Sequence, residues 1–203
     1  MRSRERAARL APDARRAQLL ATAFTVFGRK GLRNARLTDL ARAAGVALPT
    51  VLHYFPSREA LLAEMLREVS RFLLEDLLAG SASTIESAPA AIEDILLRFR
   101  DAIDSHPDHI RLWLEWSVGV QDERWPDYLA FHAGALDGIE GLLARGRAAG
   151  EVDPTLSLAD AARVVVSLAH MIVQMTFAGG SREQVAHTVR SLVRGYLLPP
   201  PGT

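Results

Sequence analysis

"GVALPTVLHYFPSREALL", residues Gly45 to Leu62, sets a glycine, a short apolar segment, an aromatic pair and a proline in immediate succession. The middle of this stretch is too apolar for an idle surface and too short for a core helix. Just before it, Thr38 reads as the N-cap of a short helix containing Leu40, Ala41 and Ala44, stopped by Gly45, where a left-handed residue lets the chain turn sharply. Pro49 is tolerated in the first turn of the next helix, from about Leu48 to Tyr54, because its missing N–H would have no intrahelical partner there. Phe55-Pro56 closes that helix, and Ser57 with Glu59 starts a long one running to about Leu78. Upstream, Pro12-Asp13 opens an amphipathic helix with Ala17, Leu20, Ala21, Phe24 and Phe27 on one face, ended by Gly31.

Two short helices about a glycine turn, braced by a longer one, form a helix-turn-helix, whose second short helix enters the DNA major groove. The apolar residues then divide: Val46, Val51 and Phe55 pack back on Phe24, Phe27 and Leu40, while Leu48, Pro49, Thr50 and His53 face outward. Leu48 and Pro49 suit thymine methyl groups, and Thr50, His53 and Tyr54 can hydrogen-bond to phosphates or base edges. With Thr38 at the head of the preceding helix, these are the candidate DNA-contacting residues. The alternative is a helical hairpin whose apolar surface binds protein.

Charge favours DNA. Residues 1–60 carry 12 Lys and Arg against 4 Asp and Glu, a net +8, and the formal charge of +0 for the whole chain leaves −8 for the remainder. A basic N-terminal unit on an acidic body is the electrostatic footprint of a polyanion-binding module. With 203 residues, 49% apolar and 24% charged, the chain is expected to fold as one or two globular units rather than remain disordered. The absence of cysteine excludes disulfides, thiolate metal sites and a cysteine nucleophile. No apolar run has the length of a bilayer span or a signal sequence, so a cytoplasmic protein without membrane contact is expected.

The remaining sequence reads as helices. Ser87 is expected to cap one with Ile92, Ile95, Leu96, Phe99 and Ile103 on a single face, after a low-complexity connector at residues 80–88. "SHPDH" breaks it, and the next helix carries Ile110, Trp113, Leu114 and Ser117. A seventh, starting near Pro126, has an expected inward stripe of Leu129, His132, Leu136, Ile139 and Leu143, after which Gly146 and Gly150 loosen the chain. Ser157 with Asp160 and Ser181 with Gln184 are capping-box patterns ahead of the last two helices. The eighth, Ala161 to Thr176, is apolar nearly all round and is expected to be buried on both faces. Asp104, His106, Asp108 and His109 fit no tight metal-ligand spacing and read as a solvated turn, and Glu115, Asp122 and Glu123 read as partners of Arg111 and Arg124.

The stretch "ATAFTVFGRKGLRNARLTDLARAAGVALPTVLHYFPSREALLAEML" resembles the TetR family of bacterial transcription regulators. "IRLWLEWSVGVQDERWP" and "RAAGEVD" are similar to its LuxR/HapR-type quorum-sensing branch, over about Arg9 to Leu197. The resemblance implies an N-terminal DNA-binding domain, a helical ligand-binding and dimerisation domain, and a homodimer on a palindromic operator. It implies a minor-groove contact for Arg9, with Ala7 in place of a companion arginine, and a phosphate contact for Tyr54. His53 stands where the branch has asparagine, so operator preference does not carry over. It sets Trp113 at the edge of a ligand pocket between helices 4, 6, 7 and 8, and puts His132 and Leu136 where the branch has polar residues. Leu73, Trp113, His132, Leu136, Ile139 and Met171 would form a mostly apolar small-molecule site. Trp113, His132 and His170 serve equally as ordinary core residues. Helices 8 and 9 would form an intersubunit four-helix bundle, the alternative being a monomer with helix 8 at its centre.

The expected fold is therefore all-α with about nine helices. A helix-turn-helix domain spans residues 1–56, including a flexible basic arm at 1–12, and a ligand-binding and dimerisation domain spans 57–203. The expected function is a ligand-responsive, homodimeric DNA-binding regulator with no catalytic residues, metal or cofactor. A helical adaptor and an all-helical enzyme are the rivals, the enzyme lacking any paired Glu-x-x-His motifs.

Overall fold

A computed structural model describes residues 11–199, which contain helices and no strand. The chain divides into two compact units, residues 1–67 and 68–203. The arm expected over residues 1–12, with Arg9, lies outside the described residues except for Ala11 and Pro12, and Pro12 already begins the first helix.

In the first unit, α1 (Pro12–Lys30) has proline and Asp13 in its opening turn and Arg29 and Lys30 in its last, agreeing with the helix dipole at both ends. Its buried face is Leu19, Ala23, Phe24 and Phe27. Ala17 and Ala21, expected to face inward, are exposed, because an alanine contributes little buried area and the leucine and phenylalanines set the rotation. α2 (Leu37–Ala44) starts two residues earlier than expected, with Arg36 rather than Thr38 at the N-cap. Thr38 therefore stands inside the first turn, and the Asp39 carboxylate accepts the Arg36 N–H at 3.0 Å in the capping role. Gly45 ends α2 at φ 65°, with its N–H on Arg42 O and the Val46 N–H reaching back to Ala41 O at 3.0 Å, a Schellman closure. α3 (Leu48–Tyr54) turns Val51 inward, and Phe55 just beyond it is 1% exposed.

α4 consists of three contiguous stretches: Arg58–Arg71 is α-helical, Phe72–Ala79 is π-helical and Gly80–Thr84 is α-helical again. Ser57 Oγ caps it by accepting the Ala60 N–H at 3.1 Å. The Arg58 guanidinium donates to Ala35 O at 2.9 Å and to Leu32 O, and Arg16 pairs with Glu64 at 2.5 Å. These bonds and the fully buried Leu61, Leu62 and Met65 bind the first turns of α4 into the N-terminal unit. The division accordingly falls after Arg67 rather than at the expected 56/57.

The second unit is built on α5 (Ala88–Ser105), which packs against α6 (Pro107–Ser117), α7 (Trp125–Ala148), α8 (Leu158–Phe177), α9 (Arg182–Leu197) and the late turns of α4. Ile92, Ile95, Leu96, Phe99 and Ile103 are all buried on α5. Ser87 occupies the N-cap without a side-chain bond, and the carboxylate of Glu151 accepts the Ala88 N–H instead, at 2.9 Å. The expected connector at residues 80–88 is helical through Thr84, held by Ser81, which is fully buried. "SHPDH" is a sharp, solvent-exposed junction, as expected: only His106 separates α5 from α6, residues 104–107 are exposed, and the His106 and His109 rings contact the Phe72 ring at centroid distances of 4.6 and 5.4 Å.

On α7 the buried stripe is Tyr128, Phe131, Ala135, Ile139, Leu142 and Leu143, about one residue round from the expected one, which leaves Leu129 49% exposed. Gly146 does not loosen the helix: a Cβ there would come within 2.7 Å of Ala88 Cβ, so the glycine permits close packing. Ser157 and Ser181 cap α8 and α9 as read, Ser181 and Gln184 forming the complete reciprocal box. α8 departs from expectation: in the single chain only 28% of its most apolar stretch is buried.

Gly45 isolates a backbone effect, because a Cβ there meets nothing within 4 Å. Gly45→Ala is expected to destabilise by about 1 kcal/mol through the left-handed φ alone, and Gly45→Asn by less. Denaturant midpoints of the two variants check this, and equal losses would put the cost elsewhere.

Candidate nucleic-acid interface and interior cavity

The fold sorts the residues of α3 by a simple rule. With Val51 and Phe55 buried at i and i+4 on one face, residues 52 and 53 between them are turned outward. Pro49 and His53 are exposed, while Leu48, Thr50 and Tyr54 are half-buried; Thr38 on α2 is exposed. The His53 ring stands edge-on to Tyr54 at 5.0 Å. Leu52 was missed in the sequence reading. It is 39% exposed on α3, and the burial of Val51 is the signal that would have found it, since its neighbour must point about 100° away.

Electrostatics around this face are one-sided. Asp39 is neutralised by Lys30 at 2.6 Å and faces Arg42 at 3.7 Å. The Lys30 hydrogen bond, aided by the Arg36 N–H, holds its carboxyl below the ordinary carboxylate range. Arg33, Arg36 and Arg42 are exposed. A surface of this composition can take up phosphates through its cations and present methyl-seeking and hydrogen-bonding side chains to base edges.

The second unit contains a partly open cavity of about 80 Å3. One wall is Leu73, Leu74, Leu77 and Leu78, all in the π-helical stretch of α4. Facing them are Ile95, Leu96 and Phe99 of α5, Trp113 of α6, Tyr128, Phe131, His132, Ala135 and Ile139 of α7, and Val165, Val166, Ala169 and His170 of α8. Two glycines of α7 let the leucine wall approach: a Cβ would lie 2.7 Å from Leu78 Cδ2 at Gly138 and 3.3 Å from Leu74 Cδ1 at Gly134. The far end of the π stretch is clasped by polar groups. Ser81 Oγ donates to Asp94 Oδ2 at 2.6 Å, and Arg98 donates to Ser81 Oγ at 3.0 Å and to Asp76 O at 2.9 Å.

Of the residues read from sequence as a pocket, Leu73, Trp113, His132 and Ile139 line the cavity; Leu136 and Met171 do not. Each is one position past the lining face of its helix, after Ala135 and His170, and one position is a rotation of about 100°. The lining contains no carboxylate, lysine or arginine. Its polar groups are His132, His170, the Tyr128 phenol and the Trp113 indole.

Trp113 lies between Phe99, at 5.2 Å, and the His170 ring, at 4.5 Å. His170 Nε2 is 2.9 Å from Ser117 Oγ, whose own proton goes to Leu114 O at 2.8 Å. The hydroxyl must then accept from Nε2–H, which fixes the neutral tautomer and leaves Nδ1 as the acceptor on the ring. Burial, with the nearby His132, pushes His170 below its ordinary value of 6.5.

Elsewhere, Arg124 pairs with Asp122 at 2.8 Å as read, but Arg111 pairs with Asp108 at 3.3 Å. Among the described residues no group of three or more His, Asp or Glu is placed to hold a metal ion.

Comparison with known proteins places this geometry. Residues 19–65 match the profile of the bacterial regulatory proteins of the tetR family. The chain is 28% identical over 193 residues to the HTH-type transcriptional regulator LuxR of Vibrio harveyi, covering 93% of this chain and 90% of that protein. It is 33% identical over 114 residues to the HTH-type transcriptional regulator EthR of Mycolicibacterium smegmatis, covering 54% of this chain and spanning about half of that relative, 51%. Two solved structures share the fold. One is the ketosteroid transcriptional regulator KstR2 of Mycobacterium tuberculosis, with TM-score 0.74 and 20% identity over 94% of this chain and 98% of that one. The other is the regulator FadR of Bacillus subtilis in complex with stearoyl-CoA, with TM-score 0.74 and 16% identity over 87% and 96%.

A histidine buried neutral contributes stability that is fully present above its unfolded value and is lost as pH falls through the depressed folded one. Stability is therefore expected to decline below about pH 6.5, and His170→Phe is expected to flatten part of that decline. Denaturant midpoints from about pH 7.5 to about pH 5 check it, and an unchanged slope would remove His170 as a source.

Proposed function

We propose that the chain is a transcriptional regulator of the tetR family, on the match of residues 19–65 and the likeness to LuxR along nearly the whole chain, and that it reads a palindromic operator with Thr38, Leu48, Pro49, Leu52, Thr50, His53 and Tyr54, under control of a small molecule in the cavity beside Trp113. The observation that carries the reading is α3 itself: Val51 is fully buried while Pro49, Leu52 and His53 stay exposed, on a segment of net +8. An adaptor surface would not need that charge, and the relatives named above are all regulators. Arg9 supplements the contact from the arm. DNA recognition belongs to the N-terminal unit and ligand binding and dimerisation to the rest. Acting on an operator, the protein works in the cytoplasm. A quorum-sensing-type global role is the narrower reading, supported by similarity to LuxR along nearly the whole chain.

Dimerisation is proposed through α8 and α9. α8, with only 28% of its apolar stretch buried and with Val164 at 41% and Phe177 at 57% exposure, needs a cover together with Leu192 of α9 at 39%, and a second copy supplies the same surface in return. Control by ligand requires a difference in affinity between two states of the dimer. By linkage, a ligand that weakens operator binding tenfold binds the operator complex tenfold more weakly, a coupling of about 1.4 kcal/mol. α4 is suited to carry that coupling, because its π-helical leucines wall the cavity and its first turns belong to the N-terminal unit.

With an operator obtained by selection from pooled oligonucleotides, affinity is expected to fall steeply with salt as phosphates displace counterions. Tyr54→Phe should weaken all sequences alike by about 1 kcal/mol, whereas His53→Ala should reorder operator variants. Binding that is flat in salt, or two variants that scale every affinity together, would remove DNA as the partner or His53 as a base reader, respectively.

Val164→Glu is expected to shift the dimer to monomer in sedimentation and to weaken operator binding while leaving helix content intact. A dimer that persists unchanged would move the interface off this face of α8.

A further inference from the structure

We propose that the effector is an amphipathic weak acid, whose acidic group meets His170 and His132 while its apolar body lies along the leucines of α4. The inference rests on the cavity being the effector site and deepens that reading.

The lining decides the class by what it can and cannot satisfy. A cationic ligand would leave its charge without a counterion, since no Asp or Glu lines the cavity. A wholly apolar ligand would cover the Nδ1 acceptor of His170 and the His132 ring without offering either a hydrogen bond. An acid suits both. The hydrogen-bond chain from His170 Nε2–H through Ser117 Oγ to Leu114 O fixes Nδ1 as a lone-pair acceptor. That nitrogen can receive the proton of an acid directly. Whether the shared proton rests on oxygen or nitrogen, the product is an acid–imidazole pair holding one proton, desolvated and strongly bonded. His132, the other titratable group facing His170, can donate to the second oxygen; Tyr128, whose ring is 5.8 Å from His132, is kept protonated by burial. No other charged side chain lines the cavity.

Near neutral pH a free carboxylic acid has lost its proton to solvent, and burial keeps His170 neutral. Forming the pair therefore takes up one proton from solution. Affinity for the anion should rise as pH falls, by up to about tenfold per pH unit. Short chains are the simplest probes of a partly open cavity of about 80 Å3.

The probes are hexanoate, 1-hexanol and hexylamine, titrated into the full-length dimer, free and operator-bound, with Trp fluorescence and calorimetry as readouts. Hexanoate is expected to bind about tenfold more tightly than hexanol near pH 6.5, and hexylamine most weakly. Calorimetry in two buffers of different ionisation enthalpy should show uptake approaching one proton for hexanoate and none for hexanol. His170→Phe should abolish the proton uptake and bring acid and alcohol to similar affinity, and the wild-type measurements stand alone if that variant fails to fold. Hexanol binding as well as hexanoate, hexanoate binding without proton uptake, or none of the three binding would each overturn the proposal. If hexanol binds and releases the operator while hexanoate does not, ligand control survives and the acid class falls. If hexanoate binds with its proton but leaves operator affinity unchanged, the class stands and control through this cavity falls.

Discussion

A π-helical turn closes its hydrogen bonds one residue later than an α-helical turn, so a helix that contains one carries extra backbone that something must hold in place. In α4 the stretch Phe72–Ala79 is held from two sides. Arg98, Asp94 and the fully buried Ser81 clasp its end by charged hydrogen bonds, and Gly134 and Gly138 open a seat for the tips of Leu74 and Leu78. The cavity exists in its present form because those turns put four leucines along one wall. Restoring α-helical spacing within this stretch would rotate the residues on one side of it by about 100° relative to the other, and the wall would come apart.

The acid–base character of the two units follows from separate tasks. The N-terminal unit cancels its most awkward acid, Asp39, with Lys30 and leaves Arg33, Arg36 and Arg42 at the surface. The second unit is acidic outside and free of charge in its cavity. Its ion pairs instead fasten helices: Arg190 to Glu93 at 2.8 Å and Arg182 to Asp101 tie α9 to α5. Removing charge from the cavity lets two imidazoles set its chemistry.

Features governed by local rules were legible in the sequence. The glycine closures at Gly31 and Gly45, the serine caps at Ser57, Ser157 and Ser181, and the buried face of α5 follow from short-range geometry and from a single apolar stripe. What misled was a choice between stripes. α7 offers leucines on several sides, and the side chosen by the fold is the one where Gly134 and Gly138 accept leucines from α4. Counting hydrophobic residues does not register that contact, because glycine contributes no side chain. Leu136 stands one residue past the lining face of α7 for this reason, and Met171 of α8 stands one residue past His170, which lines the cavity. The π stretch was illegible too: "FLLEDLLA" has ordinary helical composition, and its wide turns come from partners on α5 and α7. Of the candidate DNA contacts, those on α3 followed from the burial of Val51 and Phe55, whereas Thr38 was read as a cap and stands inside the turn.

α8 draws the threads together, because its two sides have different duties. Val165, Val166, Ala169 and His170 line the cavity, while Val164 on another side is 41% exposed. Under the proposed dimer, one rigid helix would touch the effector on one side and the partner subunit on the other. A packed helix does not deform continuously, so pressure from an enlarged cavity would be relieved either by the π-helical wall of α4 or by a shift of α8 at the dimer interface. The two routes differ in stiffness. α8 is a 20-residue helix capped at its start by Ser157, whereas the leucine wall rests on wide turns and flexible side chains. On the proposed control by ligand, the softer wall would yield first, and the ligand's work would fall to α4, the helix whose opening turns belong to the N-terminal unit.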